Sequence, residues 1–190
     1  MRHRFAGRKF GRNPKHQRAL MRMLAVSLIL TERDEDAYFD PKQAPKVKGR
    51  IITTIQKAKE VRPFVEKCVT IAKNALPAKA EADKLYPGFS NRRDPQYKAW
   101  RQSADWQAWN KANAPVVAAR RRLAQLLHDE TAVKLLFDVI APLYTERQGG
   151  YTRILRLAKP RLGDAGTRAI LEFVKNDKKA EAVKPNFDAE

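Results

Sequence analysis

Catalysis in this chain would have to begin from its histidines, its one cysteine and its acids, and their spacing does not support it. His3, His16 and His128 are scattered, with no pair at metal-ligand spacing, and Cys68 has no second cysteine to make a CxxC. No serine sits in a nucleophile elbow, and no G-x-x-x-x-G-K-[ST] phosphate loop occurs. Gly149-Gly150 reads as a pair that frees the backbone before a strand. The acids fall in a charge-rich loop or on exposed helix faces. We therefore expect no catalytic residue, no metal site, no cofactor and no small-molecule substrate.

The chemistry these residues can do is to hold phosphate. The first twelve residues contain Arg2, Arg4, Arg8, Lys9 and Arg12, with His3, Gly7 and Gly11 among them and no acid. Such a segment repels itself and buries little, so it is expected to order only on a polyanion. Lys15, His16, Arg18 and Arg22 continue the cationic character beyond Asn13, and Lys57 and Lys59 follow further on. From Arg147 to Arg168 the cations Arg147, Arg153, Arg156, Lys159, Arg161 and Arg168 face one acid, Asp164. Arginine can bind phosphate with two parallel hydrogen bonds, and Tyr151 could stack on a base. Arm, first helix and hairpin form the expected RNA-binding set, and its affinity should fall steeply with salt.

The totals agree with that reading. Thirty-nine Lys and Arg against 21 Asp and Glu give 190 residues a net charge of +18. An excess of this size points to nucleic acid as the partner. A basic membrane-surface protein would show one amphipathic helix and no second core, and the later core-forming elements argue against it. No apolar run reaches the ~18 residues of a spanning helix. The start is Arg-rich like a transit peptide, but its first serine is Ser27 and it carries Pro14, so it reads as mature sequence. A lone cysteine fits a reducing compartment, and a cytoplasmic location is expected.

The elements that position these cations read as an α+β fold, with helices packed on a small three-stranded sheet. Asn13 and Pro14 suit the start of a helix whose apolar stripe is Leu20, Met23, Leu24, Ser27 and Leu28. Residues 31–49, with clustered acids, Pro41, Pro45 and Gly49, read as a solvated loop. Arg50 to Ile55 is β-branched and reads as a strand. A helix should run from there to about Asn74 along Ala58, Val61, Val65, Cys68, Val69 and Ala72, with Pro63 kinking or restarting it. Cys68 on that stripe reads as a small buried hydrophobe.

Gln96 to Asn113 reads as a helix carrying Trp100, Trp106 and Trp109, with Trp100 roughly opposite Trp109. Packing onto the parent domain is favoured over stacking on bases for these rings. Val116, Ala119, Leu123, Leu126 and Leu127 should face inward on the next helix. Asp129 should cap another, along Val133, Leu136, Phe137 and Ile140, which Pro142 ends. Tyr151 to Leu157 and Arg168 to Val174 read as a β-hairpin, with Ala169, Leu171 and Phe173 on one face. The expected organisation is one domain over 1–175, comprising a basic arm (1–12), an acidic loop insertion (31–49) and a Trp-bearing helical insertion (76–115). A charged tail (176–190) without order should follow.

Three blocks resemble a known family. The start, M-R-H-R-x-x-G-R-K-x-x-R-N with His16, Ala19, Arg22 and Ser27-Leu28, is similar to that of bacterial large-subunit ribosomal protein seventeen. So is Arg50-Ile51-Ile52-Thr53-Thr54 with Lys57-Ala58-Lys59-Glu60-Val61-Arg62. So is Gly149-Gly150-Tyr151-Thr152-Arg153-Ile154 with Arg161 and Gly163-Asp164. The resemblance implies a non-enzymatic, structural ribosomal protein of the cytoplasmic large subunit, with helices packed on a small mixed sheet, that binds large-subunit rRNA beside neighbouring ribosomal proteins. The segments 31–49, much of 75–115 and the tail depart from it, and the Trp-bearing part is expected to meet RNA or a protein. A free or architectural RNA-binding protein is the alternative. It would sediment apart from ribosomes and bind many sequences alike.

Overall fold

The computed structural model of the chain describes residues 7–8, 10–11, 13–34, 38, 44–89 and 93–174. Helix α1 is Pro14–Leu30, started by Asn13, whose side-chain oxygen accepts from the Lys15 amide at 2.8 Å. Its buried residues are Ala25, Val26, Leu28 and Ile29, whereas Met23 is 62% exposed and Ser27 is exposed. The stripe is therefore rotated from the expected one. Met21 to Leu30 is apolar almost all round, so spacing alone admits more than one face.

After α1 the chain is pinned rather than loose where it is described. Thr31 Oγ1 donates to the Leu28 carbonyl at 2.6 Å and accepts from the Gly49 amide at 2.9 Å, and Tyr38 donates its hydroxyl proton to the Leu30 carbonyl. Gly49 holds φ +75°, and a Cβ there would lie 2.5 Å from Glu32 Oε1, which is why glycine ends this loop. Most of the acidic cluster lies outside the described residues, as does the tail.

Strand β1 (Arg50–Thr54) leads directly into α2, Ile55–Leu85, a single helix of 31 residues. It passes the expected end at Asn74 and contains both Pro63 and Pro77. Each proline removes one helix hydrogen bond. The buried positions Ala58, Val61, Val65, Cys68, Val69, Ala72, Ala75 and Ala82 hold the opposite face. By the 100° step both prolines fall on the outer side, where water can take the orphaned carbonyls.

The expected Gln96–Asn113 helix is two. Helix α3 (Pro95–Trp100) stops, and Ser103 starts α4 (Ala104–Leu127) by accepting from the Trp106 amide at 3.4 Å. Helix α4 runs through Pro115 and packs antiparallel along α2, burying Val116, Leu123 and Leu127. Asp129 caps α5 (Glu130–Leu135) through the Ala132 amide, as expected. A π-helical turn (Leu136–Ile140) and α6 (Ala141–Leu143) continue from it, so Pro142 does not end the run. Val133, Leu136, Phe137 and Ile140 are buried.

Strands β2 (Thr152–Arg156) and β3 (Arg168–Phe173) form the expected hairpin. The sheet order is β1-β3-β2 and both pairings are antiparallel, so the sheet is not mixed. Ala169, Leu171 and Phe173 face the helices, and one core joins them to α1, α2, α4 and α5. The other face carries an aligned row of Ile52, Ile170 and Leu155, of which Ile52 is 55% exposed.

Candidate nucleic-acid interface

Two grooves gather the expected cations. The first, about 500 Å³, lies where the described end of the arm meets α1, α2 and α4. Arg8, Arg18 and Arg22 supply its charge, Phe10, Met21, Phe64 and Leu126 its apolar floor, and Glu60 its one acid. Arg22 is fixed there because its Nε donates to the Leu126 carbonyl of α4 at 3.1 Å. Arg8, Lys15, His16 and Arg18 are exposed. Arg2, His3, Arg4, Lys9 and Arg12 lie outside the described residues.

The second groove runs between the start of α2 and strand β2, lined by Lys59, Arg62, Glu66, Thr152, Arg153 and Arg156 with Ile55, Pro63 and Ile154. It joins residues some ninety positions apart in the chain. Its acid is internally satisfied, since Glu66 Oε1 accepts from Arg62 Nε at 3.1 Å and from the buried Thr152 hydroxyl at 2.9 Å. Lys59 and Arg156 are then its exposed cations without an acid partner among the described residues. Lys57 is half-buried and lines neither groove.

Several expected contacts are committed to the fold instead. Tyr151 is 2% exposed and packs against Tyr144 at 5.1 Å between ring centroids, so its ring offers no face to a base. The side-chain oxygen of Asn13 is taken by its capping bond. Arg147 donates from Nε to the Gly149 carbonyl, and its own carbonyl accepts from Lys73. Arg153 and Arg50 both reach Glu172, a side chain 4% exposed on an otherwise open sheet face. Arg161 grips Asp164 through two nitrogens, and that hydrogen bonding, with the Gly166 amide, holds the Asp164 carboxyl down to about 2. These acids were visible in the sequence, but their partners depend on strand register and loop closure.

The tryptophans divide. Trp100 (8% exposed) and Trp109 meet at 5.6 Å within a cluster that includes Tyr86, Phe89 and Tyr97. They pack at the far end of the helical hairpin that α2 and α4 make, its tip, not onto the main core, and they are not opposed, because the break at Ser103 folds α3 back. The missed signal was Ser103 followed by Asp105, an N-cap with an acid in the first turn. Trp106 stands apart, half-buried, with Arg101 over its ring at 5.8 Å.

Among the described residues no group of His, Cys, Asp and Glu could hold a metal ion, and no helix is long and apolar enough to cross a membrane. Burial pushes the Cys68 thiol up to about 12, which makes it inert at neutral pH.

Comparison with known proteins gives a consistent answer. Residues 46–174 match the family described as Ribosomal protein L17. The large ribosomal subunit protein bL17 of Rhodopirellula baltica is 58% identical over 190 aligned residues, covering 99% of this chain and 89% of the relative. The bL17 proteins of Thermomicrobium roseum and Persephonella marina are 37% and 36% identical, covering 92% and 94% of this chain and 99% of each relative. The family is structural and non-enzymatic, and the chain belongs to it: a member of the bacterial ribosomal protein L17 family.

Proposed function

We propose that the chain is a structural constituent of the bacterial large ribosomal subunit, working in the cytoplasmic ribosome, and that it binds large-subunit rRNA through its arm, α1 and the α2–β2 groove. The relatives' names supply the subunit. The observation that carries the RNA contact is the first groove, where Arg8, Arg18 and Arg22 converge beside a single acid at the base of the arm. Arg2, Arg4 and Arg12 extend that charge along the sequence. Lys59 and Arg156 add a second point of contact, while Arg161 is balanced by Asp164 and Arg153 shares Glu172 with Arg50, a group that keeps one positive charge. Each phosphate neutralised releases condensed counterions, so affinity is electrostatic and salt-sensitive. Neighbouring large-subunit proteins are the second class of partner, and the Trp-bearing hairpin tip is a surface for RNA or for one of them.

The test is sedimentation of cell lysate through a sucrose gradient at low magnesium. Near-stoichiometric co-migration with the large subunit, surviving moderate salt, is expected. Protein confined to the top of the gradient would overturn the assignment. Replacing Arg2, Arg4, Arg8 and Arg12 by Ala should weaken incorporation in a competitive assembly assay and flatten the salt slope, and unchanged incorporation would remove the arm from the interface. Subunits carrying a chain without residues 78–114 should lose crosslinks to a neighbour, and an unchanged crosslinking pattern would remove the tip.

A further inference from the structure

We propose that α4 carries a further phosphate-binding surface, centred on Arg121 and Arg122, which continues the first groove across the α1–α4 seam and takes the backbone of an rRNA duplex. This inference rests on the reading that the chain binds large-subunit rRNA. Arg120, Arg121 and Arg122 are consecutive and all exposed, and the sequence from Lys111 to His128 contains no acid. The ion pairs among the described residues all use other cations. Arg120 is committed, lying 5.2 Å over the Phe137 ring. Among the described residues Arg121 and Arg122 make no ion pair or ring contact, although Arg121 also lines a cleft on the α5 side with Glu130 and Lys134.

Their position follows from the helix. Leu126, whose carbonyl accepts from Arg22, lines the first groove together with Gln125. Arg122 lies four residues before Leu126, one turn back on nearly the same strip, and Arg121 is a further 100° outward. Cations from α1 and α4 thus stand in two rows on packed helices, whose axes in such contacts lie about 8–10 Å apart. Two rows of point contacts suit the phosphates of helical RNA, which is recognised by shape and backbone. Single-strand binding calls for rings on which bases stack. From Lys111 to His128 α4 has no Phe, Tyr or Trp, Phe137 is buried beneath Arg120, and Phe10 and Phe64 belong to the floor of the adjoining groove.

The experiment measures binding of the full-length chain to a large-subunit rRNA transcript as a function of salt, for the wild type, Arg121→Ala/Arg122→Ala, Arg121→Lys/Arg122→Lys and Arg18→Ala. Two lost phosphate contacts should lower the slope of log affinity against log salt by about 1.4–1.8, at roughly 0.7–0.9 per contact. The lysine pair should keep the wild-type slope. An alanine pair with the wild-type slope overturns the proposal, and if Arg18→Ala still lowers the slope the general rRNA reading survives that failure. A wild-type chain that does not bind the transcript overturns both. Loss of ribosome incorporation by the alanine pair with an unchanged slope would mean that this surface meets a protein, which also overturns it. Competition by an RNA duplex but not by a single strand of the same length should weaken wild-type binding more than that of the alanine pair; equal effects on the two overturn the duplex assignment.

Discussion

Glu172 makes the sharpest test of how the fold and the interface share their arginines. Its side chain is 4% exposed, with Oε2 2.6 Å from Arg50 Nη2 and Oε1 accepting from Arg153 Nε, while those arginine side chains remain 37% and 58% exposed. Losing one partner of a fully buried pair costs about 3–5 kcal/mol, and an exposed pair contributes about 0–1 kcal/mol. Here only the carboxylate is desolvated, so Glu172→Gln should cost about 2 kcal/mol. At this chain length each kcal/mol moves Tm by roughly 2–4 °C, which places the variant about 4–8 °C below wild type in circular dichroism melts. Replacing Arg50, Glu172 and Arg153 together by Met should recover most of that loss, since no uncompensated charge then remains. Glu172→Gln also adds one positive charge and releases two guanidiniums, so its rRNA binding should fall more steeply with salt than wild type. A Tm change below about 1 °C would refute the energetic reasoning. A lower Tm with an unchanged salt slope would refute the idea that pairing is what keeps these arginines from phosphate.

Three further outcomes follow from particular contacts. Trp100→Ala should abolish hydrogen-exchange protection at the hairpin tip while β3 amides keep theirs, because the ring packs among Tyr86, Phe89, Tyr97 and Trp109 and not in the main core; truncating a buried Trp costs about 3–5 kcal/mol, and parallel loss in β3 would contradict this partition. Cys68 should resist alkylation by iodoacetamide at pH 8 until denaturant is added, since it is fully buried with its pKa pushed up to about 12. Its raised pKa favours the protonated, folded state, so this contribution is complete below the ordinary thiol value of 9.0 and is lost as pH rises towards 12; rapid native labelling would show that the core opens. The Asp164 carboxyl is held low, so the order it gives the β2–β3 loop is present above 3.8 and lost as pH falls through about 2. Exchange at the Gly166 amide, which donates to Asp164, should accelerate across that window and not at pH 5.

The sequence was legible wherever one local rule decided the outcome. Asn13 and Asp129 cap the helices that follow them, and all three strands lie within a residue or so of their expected ends. Ala169, Leu171 and Phe173 point inward because alternation fixes the face once the strand is known. Errors arose where two signals competed. Met21 to Leu30 offers more than one apolar face, and contact with α2 and α4 selects among them. Tyr151 was legible as an aromatic beside arginines but not as a core residue, because its burial depends on Tyr144, Lys73 and the sheet closing around it. Counting cations does not reveal which of them the fold itself pairs, for the same reason. Arg153 and Arg161 lie beside acids that only strand pairing and loop closure bring near.

The three internal prolines carry the broadest lesson about this fold. A proline inside a helix is taken as a stop because it costs about 3 kcal/mol or more in an isolated segment. In α2 and α4, Pro63, Pro77 and Pro115 are all exposed, Pro63 and Pro77 opposite the buried face and Pro115 about 100° from it, while those faces are buried against each other. The burial of Val61, Val65, Cys68, Val69, Val116 and Leu123 matches or exceeds that cost, at ~1.5–3 kcal/mol for a fully buried Val or Leu. With 31 residues at 1.5 Å per residue, α2 then reaches about 46 Å. That length carries the aromatic tip well beyond the sheet-side core. Only the small residues Ala75 and Ala82 are fully enclosed along α2 beyond Ala72. The tip therefore needs its own hydrophobic cluster, and Trp100 with its four aromatic neighbours provides one. A tip stabilised in this way can be lost or altered while the basic base of the molecule stays folded, which is what allows the two ends of the hairpin to be tested separately.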